Sequence, residues 1–215
     1  MADYKKPDYW QLKARKEGYP ARSVFKLMEI DEKFLLLKKH RYNASSSLHA
    51  LDIGAAPGSW SLYVLRKIAK ENNSWLKNGF IAAADLLPLS REFDKGLFDS
   101  ENFFFVQGDV TTDEIRGVLL SKGPYSAVIS DAAPNTTGNH MVDSARSLEL
   151  AEVVIMYAQS ALVPGGSLAL KVFQGSGVDG IFKEMKTLFE IVKSFKPQAC
   201  RGESVETYFI GIGKK

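Results

Sequence analysis

Apolar residues recur along this chain in two rhythms. Between positions 20 and 37, Val24, Phe25, Leu27, Met28, Ile30, Phe34 and Leu37 approximate a one-sided stripe, which predicts a helix over 20–37. Downstream, short apolar runs alternate with stretches of helical period. Strands are predicted over 48–53, 80–84, 103–106, 125–130 and 167–173. Helices are predicted over 59–70, 142–162 and 178–188. A further helix to about Leu120 is opened by the capping box Thr111-Thr112-Asp113-Glu114. Ser45-Ser46-Ser47 marks a loop, and Pro164-Gly165-Gly166 ends the long helix. Two more strand-like runs, near 190–195 and 206–212, close the chain.

Strands that alternate with helices predict an α/β fold: a mostly parallel sheet with helices on both faces. The last two strands are separated by a loop alone. They predict an antiparallel hairpin at the sheet edge, a seventh strand that a plain dinucleotide-binding fold lacks. In open sheets of this kind ligands sit at the carboxyl ends of the strands, so the residues just after each strand carry the chemistry.

The 215 residues suit one domain, 1–215, without internal repeats. Neither a signal peptide nor about 18 uninterrupted apolar residues can be found, so no membrane segment is expected. Cys200 is the single cysteine, which excludes an intrachain disulfide and a cysteine-built zinc site and fits a reducing cytoplasm. His40, His49 and His140 have no metal-ligand spacing, and no metal is expected. A monomer is the default. Charge is uneven. Residues 1–41 hold eleven Lys or Arg against six Asp or Glu, while the whole chain carries +3. This basic helical arm reads either as a solvated face or as a contact for a polyanion.

After the first strand comes Asp52-Ile53-Gly54-Ala55-Ala56-Pro57-Gly58-Ser59-Trp60. Small residues between strand and helix let backbone approach a ligand closely. The loop is neither the G-x-G-x-x-G fingerprint nor a P-loop. Lacking Lys and Arg, it suits a zwitterionic ligand without phosphate, such as S-adenosylmethionine. Asp85, at the end of the second strand, can bind both hydroxyls of a ribose, or cap a turn. Asp109, after the third, can accept from an adenine amino group, or cap the following helix.

The fourth strand ends at Ser130-Asp131, and the fifth contains Lys171 inside Ser167-Leu168-Ala169-Leu170-Lys171-Val172-Phe173. Lysine is rarely buried without a partner. Either this is an edge strand and Lys171 reaches water, or Lys171 faces the cleft and pairs with Asp131. On pattern alone, Lys26, Glu206 and Trp60 look unremarkable.

Nearly the whole chain resembles the FtsJ-type ribosomal RNA 2′-O-methyltransferases, the RrmJ or RlmE family. The likeness runs through Lys16-Glu17-Gly18-Tyr19, Arg22-Ser23, Phe25-Lys26-Leu27, Asp52 to Trp60, Asp85-Leu86-Leu87-Pro88 and Gln107-Gly108-Asp109. It continues through Ser130-Asp131 with Ala133-Pro134-Asn135, Lys171-Val172-Phe173-Gln174-Gly175, Lys196-Pro197 and Ser204 to Tyr208. The resemblance implies a Rossmann-like S-adenosylmethionine-dependent methyltransferase fold with a seven-stranded sheet. It implies a catalytic tetrad of Lys26, Asp131, Lys171 and Glu206, and cofactor contacts at Gly54, Gly58, Trp60, Asp85, Asp109 and Asp131. The chain departs from the pattern at Ser59, where the family usually has a second glycine.

The activity that the resemblance implies is methyl transfer from S-adenosylmethionine to a ribose 2′-hydroxyl of RNA, with a uridine of large-subunit ribosomal RNA favoured. A sulfonium methyl is already electrophilic, so the site has to align donor and acceptor and remove one proton. Lys171 is the candidate base; in protonated form it would instead stabilise the developing oxyanion. Lys13, Arg15, Lys16 and Arg22 are candidate phosphate contacts, and Tyr19 or Trp10 can stack on a splayed base or pack in the core. The rivals are a transfer RNA ribose methyltransferase, a methyltransferase of a non-RNA substrate, a nicotinamide-dependent oxidoreductase and a non-catalytic RNA-binding module. The missing third glycine and the hairpin tail oppose the oxidoreductase, and the intact tetrad opposes the binding module.

Overall fold

A computed structural model describes residues 7–40, 43–70, 73–134, 137–202 and 204–215. Asn135 of the motif after the fourth strand, and Lys5, Lys6 and Arg41 of the basic arm, lie outside them. The chain opens with helices α1 (Tyr9–Lys16) and α2 (Val24–Phe34). It then alternates β1 (His49–Ile53), α3 (Ser59–Ile68), β2 (Phe80–Asp85), β3 (Phe103–Gln107), α4 (Asp113–Ser121), β4 (Tyr125–Ser130), α5 (His140–Ala161), β5 (Leu162–Phe173) and α6 (Val178–Leu188). It closes with β6 (Phe189–Phe195) and β7 (Glu206–Lys214).

The seven strands form one sheet in the order β3-β2-β1-β4-β5-β7-β6. β1 to β5 pair in parallel, and β7 runs antiparallel to both β5 and β6. The hairpin is as expected, but β7 wedges between β5 and β6, so β6 is the edge. Alternation along the strands splits the core in two. Val24, Leu27, Trp60 and Leu62 of α2 and α3 cover one face with Ile129 and Tyr208. Ile115, Val154 and Met185 of α4, α5 and α6 cover the other with Leu170 and Phe209.

Three element boundaries differ from those the pattern predicts. Helix α2 stops at Phe34, since Leu35 turns left-handed at φ 54°. Leu36 and Leu37 then drop into the core, and the buried Asp31 carboxylate accepts from the Leu37 N–H at 2.9 Å. Thr112 rather than Thr111 caps α4, accepting from the Ile115 N–H at 3.4 Å; Thr111 is bonded to Asp109. The Pro164-Gly165-Gly166 segment lies within β5, where the register against β4 jumps from Tyr125↔Leu162 to Ala127↔Ser167. Among the described residues no helix is long and apolar enough to cross a membrane.

Candidate active site

Strand order reverses between β1 and β4, and a cavity opens there at the carboxyl ends of the strands, as the topology requires. Its volume is about 340 Å³, inside the ~300–1,000 Å³ typical of small-molecule sites. Gly54, Ala56, Asp85, Asp109, Asp131 and Ala132 help to line it. Gly54 has φ +77°, and a Cβ there would sit 2.5 Å from the Ala132 Cα. No other residue lets β1 and the β4 end come this close.

Asp85 accepts from the Ala56 N–H and the Leu87 N–H, both at 2.8 Å, which fixes the carboxylate across the loop. One oxygen of Asp109 accepts from the Thr111 N–H at 2.9 Å and the Thr111 hydroxyl at 2.8 Å. These bonds hold the Asp109 carboxyl below its usual range. Among the described residues, three carboxylates and no Lys or Arg line the cavity. That donor set fits a ligand with positive charge, ribose hydroxyls and no phosphate, as S-adenosylmethionine has.

Beside the cavity stands a buried ionic cluster. The β5–β7 register puts Lys171 opposite Tyr208 and Phe173 opposite Glu206. The Lys171 Nζ lies 3.0 Å from Asp131 Oδ1 and donates to the Asp131 carbonyl at 2.5 Å. The Tyr208 hydroxyl donates to the same Oδ1 at 2.5 Å. Lys26, reaching in from α2, donates to Glu206 at 2.8 Å and stands 4.0 Å from Asp131. Burial pushes the Asp131 carboxyl up, but Lys171, Lys26 and the Tyr208 hydroxyl outweigh it and hold the group below the usual range. Burial likewise works against the Lys26 ammonium; Asp131 and Glu206 reverse the balance and raise it. Lys26 and Asp131 are therefore charged at neutral pH.

The sequence that builds this cavity and ionic cluster matches a known family. The FtsJ-like methyltransferase model matches residues 19–214. The chain belongs to the FtsJ-like methyltransferase family. It is 45% identical over 212 residues to the "Ribosomal RNA large subunit methyltransferase E" of Treponema denticola, covering 99% of this chain and 97% of that one. The Borreliella afzelii protein of the same name is 43% identical over 95% of this chain and 96% of its own. Among solved structures, a Plasmodium falciparum protein described as a ribosomal RNA methyltransferase superposes with a TM-score of 0.70 at 25% identity. That match covers 91% of this chain and 98% of the other. The human methyltransferase-like protein 13 in complex with SAH shares the fold, with a TM-score of 0.52 at 15% identity over 88% of this chain and 79% of its own.

In this methyltransferase Lys26, Asp131, Lys171 and Glu206 converge, and Gly54, Asp85, Asp109 and Asp131 border the cavity. Gly58 and Trp60 do not line it. Gly58, at φ +103°, turns the chain into α3 against Phe98. The Trp60 indole is 2% exposed, and its Nε1 donates to the Ser23 carbonyl at 2.8 Å. It packs as core against Tyr208, so a cofactor contact at Trp60 would have to use backbone N–H groups of the first turn.

The candidate RNA contacts divide. Arg15 and Lys16 are exposed on α1, while Lys13 is half-buried over the rings of Trp10 and Phe25. Arg22 is not free for phosphate: its guanidinium bonds the Asp8 carboxylate and the Ala199 carbonyl. Tyr19 is buried beneath the Arg66 guanidinium at 4.3 Å, and Trp10 packs on Phe25 at 5.2 Å, so Tyr19 is core rather than a stacking platform. Two site groups carry no signal in the sequence pattern, the Tyr208 hydroxyl and the buried Asp52. Ser61 donates to one Asp52 oxygen at 2.7 Å, and the other has no hydrogen-bond partner among the described residues.

Proposed function

We propose that this methyltransferase transfers a methyl group from S-adenosylmethionine to a ribose 2′-hydroxyl of RNA, at a uridine of large-subunit ribosomal RNA. The Lys171–Asp131 pair beside the cavity, backed by Lys26 and Glu206, carries this reading. It accords with the large-subunit ribosomal RNA methyltransferases among its relatives.

When bound, the cofactor supplies an electrophilic sulfonium methyl. Asp85 would accept from its ribose hydroxyls and Asp109 from its adenine amino group. Of the four tetrahedral positions around the Lys171 nitrogen, two are directed at Asp131 and one is its own carbon. The remaining position faces the acceptor hydroxyl and takes its proton as the oxygen attacks in line. Asp131 aims the Lys171 amine. Lys26 and Glu206 neutralise each other beside it, and the proton that Lys171 takes up offsets the Asp131 carboxylate. Lys13, Arg15 and Lys16 hold the RNA backbone.

The test is transfer of labelled methyl from S-adenosylmethionine to large ribosomal subunits, small subunits and total transfer RNA, with Lys171→Ala in parallel. Label on a 2′-O-methylated nucleoside of the large subunit, absent with the variant, is expected. Label on a base would overturn the catalytic assignment, and label confined to transfer RNA would change the substrate class.

A further inference from the structure

The turn that leads into α2 is fastened to the start of α3 at two adjacent residues. The Ser59 hydroxyl accepts from the Ala21 N–H at 2.8 Å and donates to the Ala21 carbonyl at 3.2 Å. At 1% exposure, this hydroxyl has no water to turn to. The Trp60 indole N–H donates to the Ser23 carbonyl, which also receives the Lys26 backbone N–H at 3.0 Å. The same short loop holds the cavity wall on its other side. Gly54 and Ala56 line the cavity, the Ala56 N–H is bound by Asp85, and the Gly58 N–H closes back on the Ala55 carbonyl at 2.6 Å. Helix α1 rides on α2 through the Trp10–Phe25 contact, so Lys13, Arg15 and Lys16 move with the turn.

We propose that Ser59 is a positioning residue whose hydroxyl ties the arm to the cofactor loop, so that a filled cofactor cavity sets the placement of the RNA contacts on α1. The ligands' identities rest on the function proposed above. A ligand seated against Gly54, Ala56 and Asp85 restrains the loop, and through Ser59 it restrains the turn at 21–23. RNA then meets an arm whose ordering cost has been met in advance. By linkage, bound RNA tightens the cofactor by the same factor. Glycine or alanine at this position removes both bonds.

Hydrogen exchange of the backbone amides at 21–28, with and without saturating S-adenosylhomocysteine, tests this in the wild type, Ser59→Gly, Ser59→Ala and Ser59→Thr. Ligand is expected to slow exchange in the wild type and in Ser59→Thr, and to slow it clearly less in Ser59→Gly and Ser59→Ala, where only the Trp60 bond to the Ser23 carbonyl remains. Affinity for S-adenosylhomocysteine alone should be equal in all four. With large ribosomal subunits as substrate, KM for the subunit should rise roughly five- to tenfold in Ser59→Gly, the size of one or two net hydrogen bonds, while kcat holds. Equal slowing in the wild type and Ser59→Gly, or no slowing in the wild type, overturns the proposal. The exchange experiment uses no RNA. A failure to methylate any RNA would therefore strike the proposed function and leave the Ser59 link to be judged by exchange.

Discussion

Asp131 receives three donor contacts at 3.0 Å or less: the Lys171 nitrogen twice and the Tyr208 hydroxyl once. Removing Lys171 should abolish methyl transfer while leaving S-adenosylhomocysteine affinity within about twofold, since no binding contact is lost beyond one turned carboxylate. Calorimetric titration of Lys171→Ala checks this; a collapse in affinity would contradict the assignment. Tyr208→Phe takes away the donor that aims Asp131 and should slow single-turnover transfer about tenfold, near 1.4 kcal/mol of barrier, with the fold intact. Asp52 makes a different prediction. Burial, helped by Asp131 and Asp85 and opposed by Ser61, pushes its carboxyl up to about 7. Between its ordinary 3.8 and about 7, the folded state binds more protons than the unfolded one, so stability falls as pH rises through that window. The full shift corresponds to about 4 kcal/mol. Asp52→Asn keeps the Ser61 contact and should raise the melting temperature at pH 8 while changing it little near pH 4. Of these residues Lys171 was legible alone, because a lysine in an apolar strand demands a partner. Lys26 and Glu206 were legible through the family pattern only. Tyr208 reads as core in any strand, and Arg22 finds its acceptors 14 and 177 positions away, beyond any local pattern.

Helices and strands were legible where their signals were local. Strand β4 and helix α6 fall where the pattern put them, because uninterrupted apolar runs and a one-sided stripe leave little choice. Boundaries slipped where tertiary contacts decided: the Leu37 N–H prefers the Asp31 carboxylate to another turn of helix, and Thr111 serves Asp109 instead of α4. The basic arm divides its labour along its length. Replacing Lys13, Arg15 and Lys16 together by Ala should weaken RNA binding and lower the slope of log affinity against log salt by roughly 2 to 3. Filter binding across a salt series checks this, and an unchanged slope would remove α1 from the interface. Arg22→Ala should instead lower thermal stability, because it unties α2 from Asp8 and from the Ala199 carbonyl. Its effect on the salt slope should be nil.

Across the molecule, alternating strands and helices made the α/β class readable, and the lone loop between the last two strands betrayed the hairpin. The hairpin alone left open which of its strands pairs with β5; β7 takes that place and buries Glu206 to Gly211, while Glu190, Ile191, Lys193 and Ser194 of β6 are exposed at the edge. Ligand binding should be felt globally: at a hundredfold excess over Kd, S-adenosylhomocysteine should add about 2.7 kcal/mol to unfolding, visible as a rise in melting temperature that Asp85→Ala abolishes. The reversed direction of β7 has a practical corollary. Entering at the catalytic end, it delivers Glu206 and Tyr208 first and carries the chain away to Lys214, paired with Phe189 at the opposite pole. An affinity tag or fluorophore joined after Lys215 would therefore project from the far side of the sheet, clear of the surface proposed to meet RNA. The same appendage ahead of α1 would crowd that proposed surface.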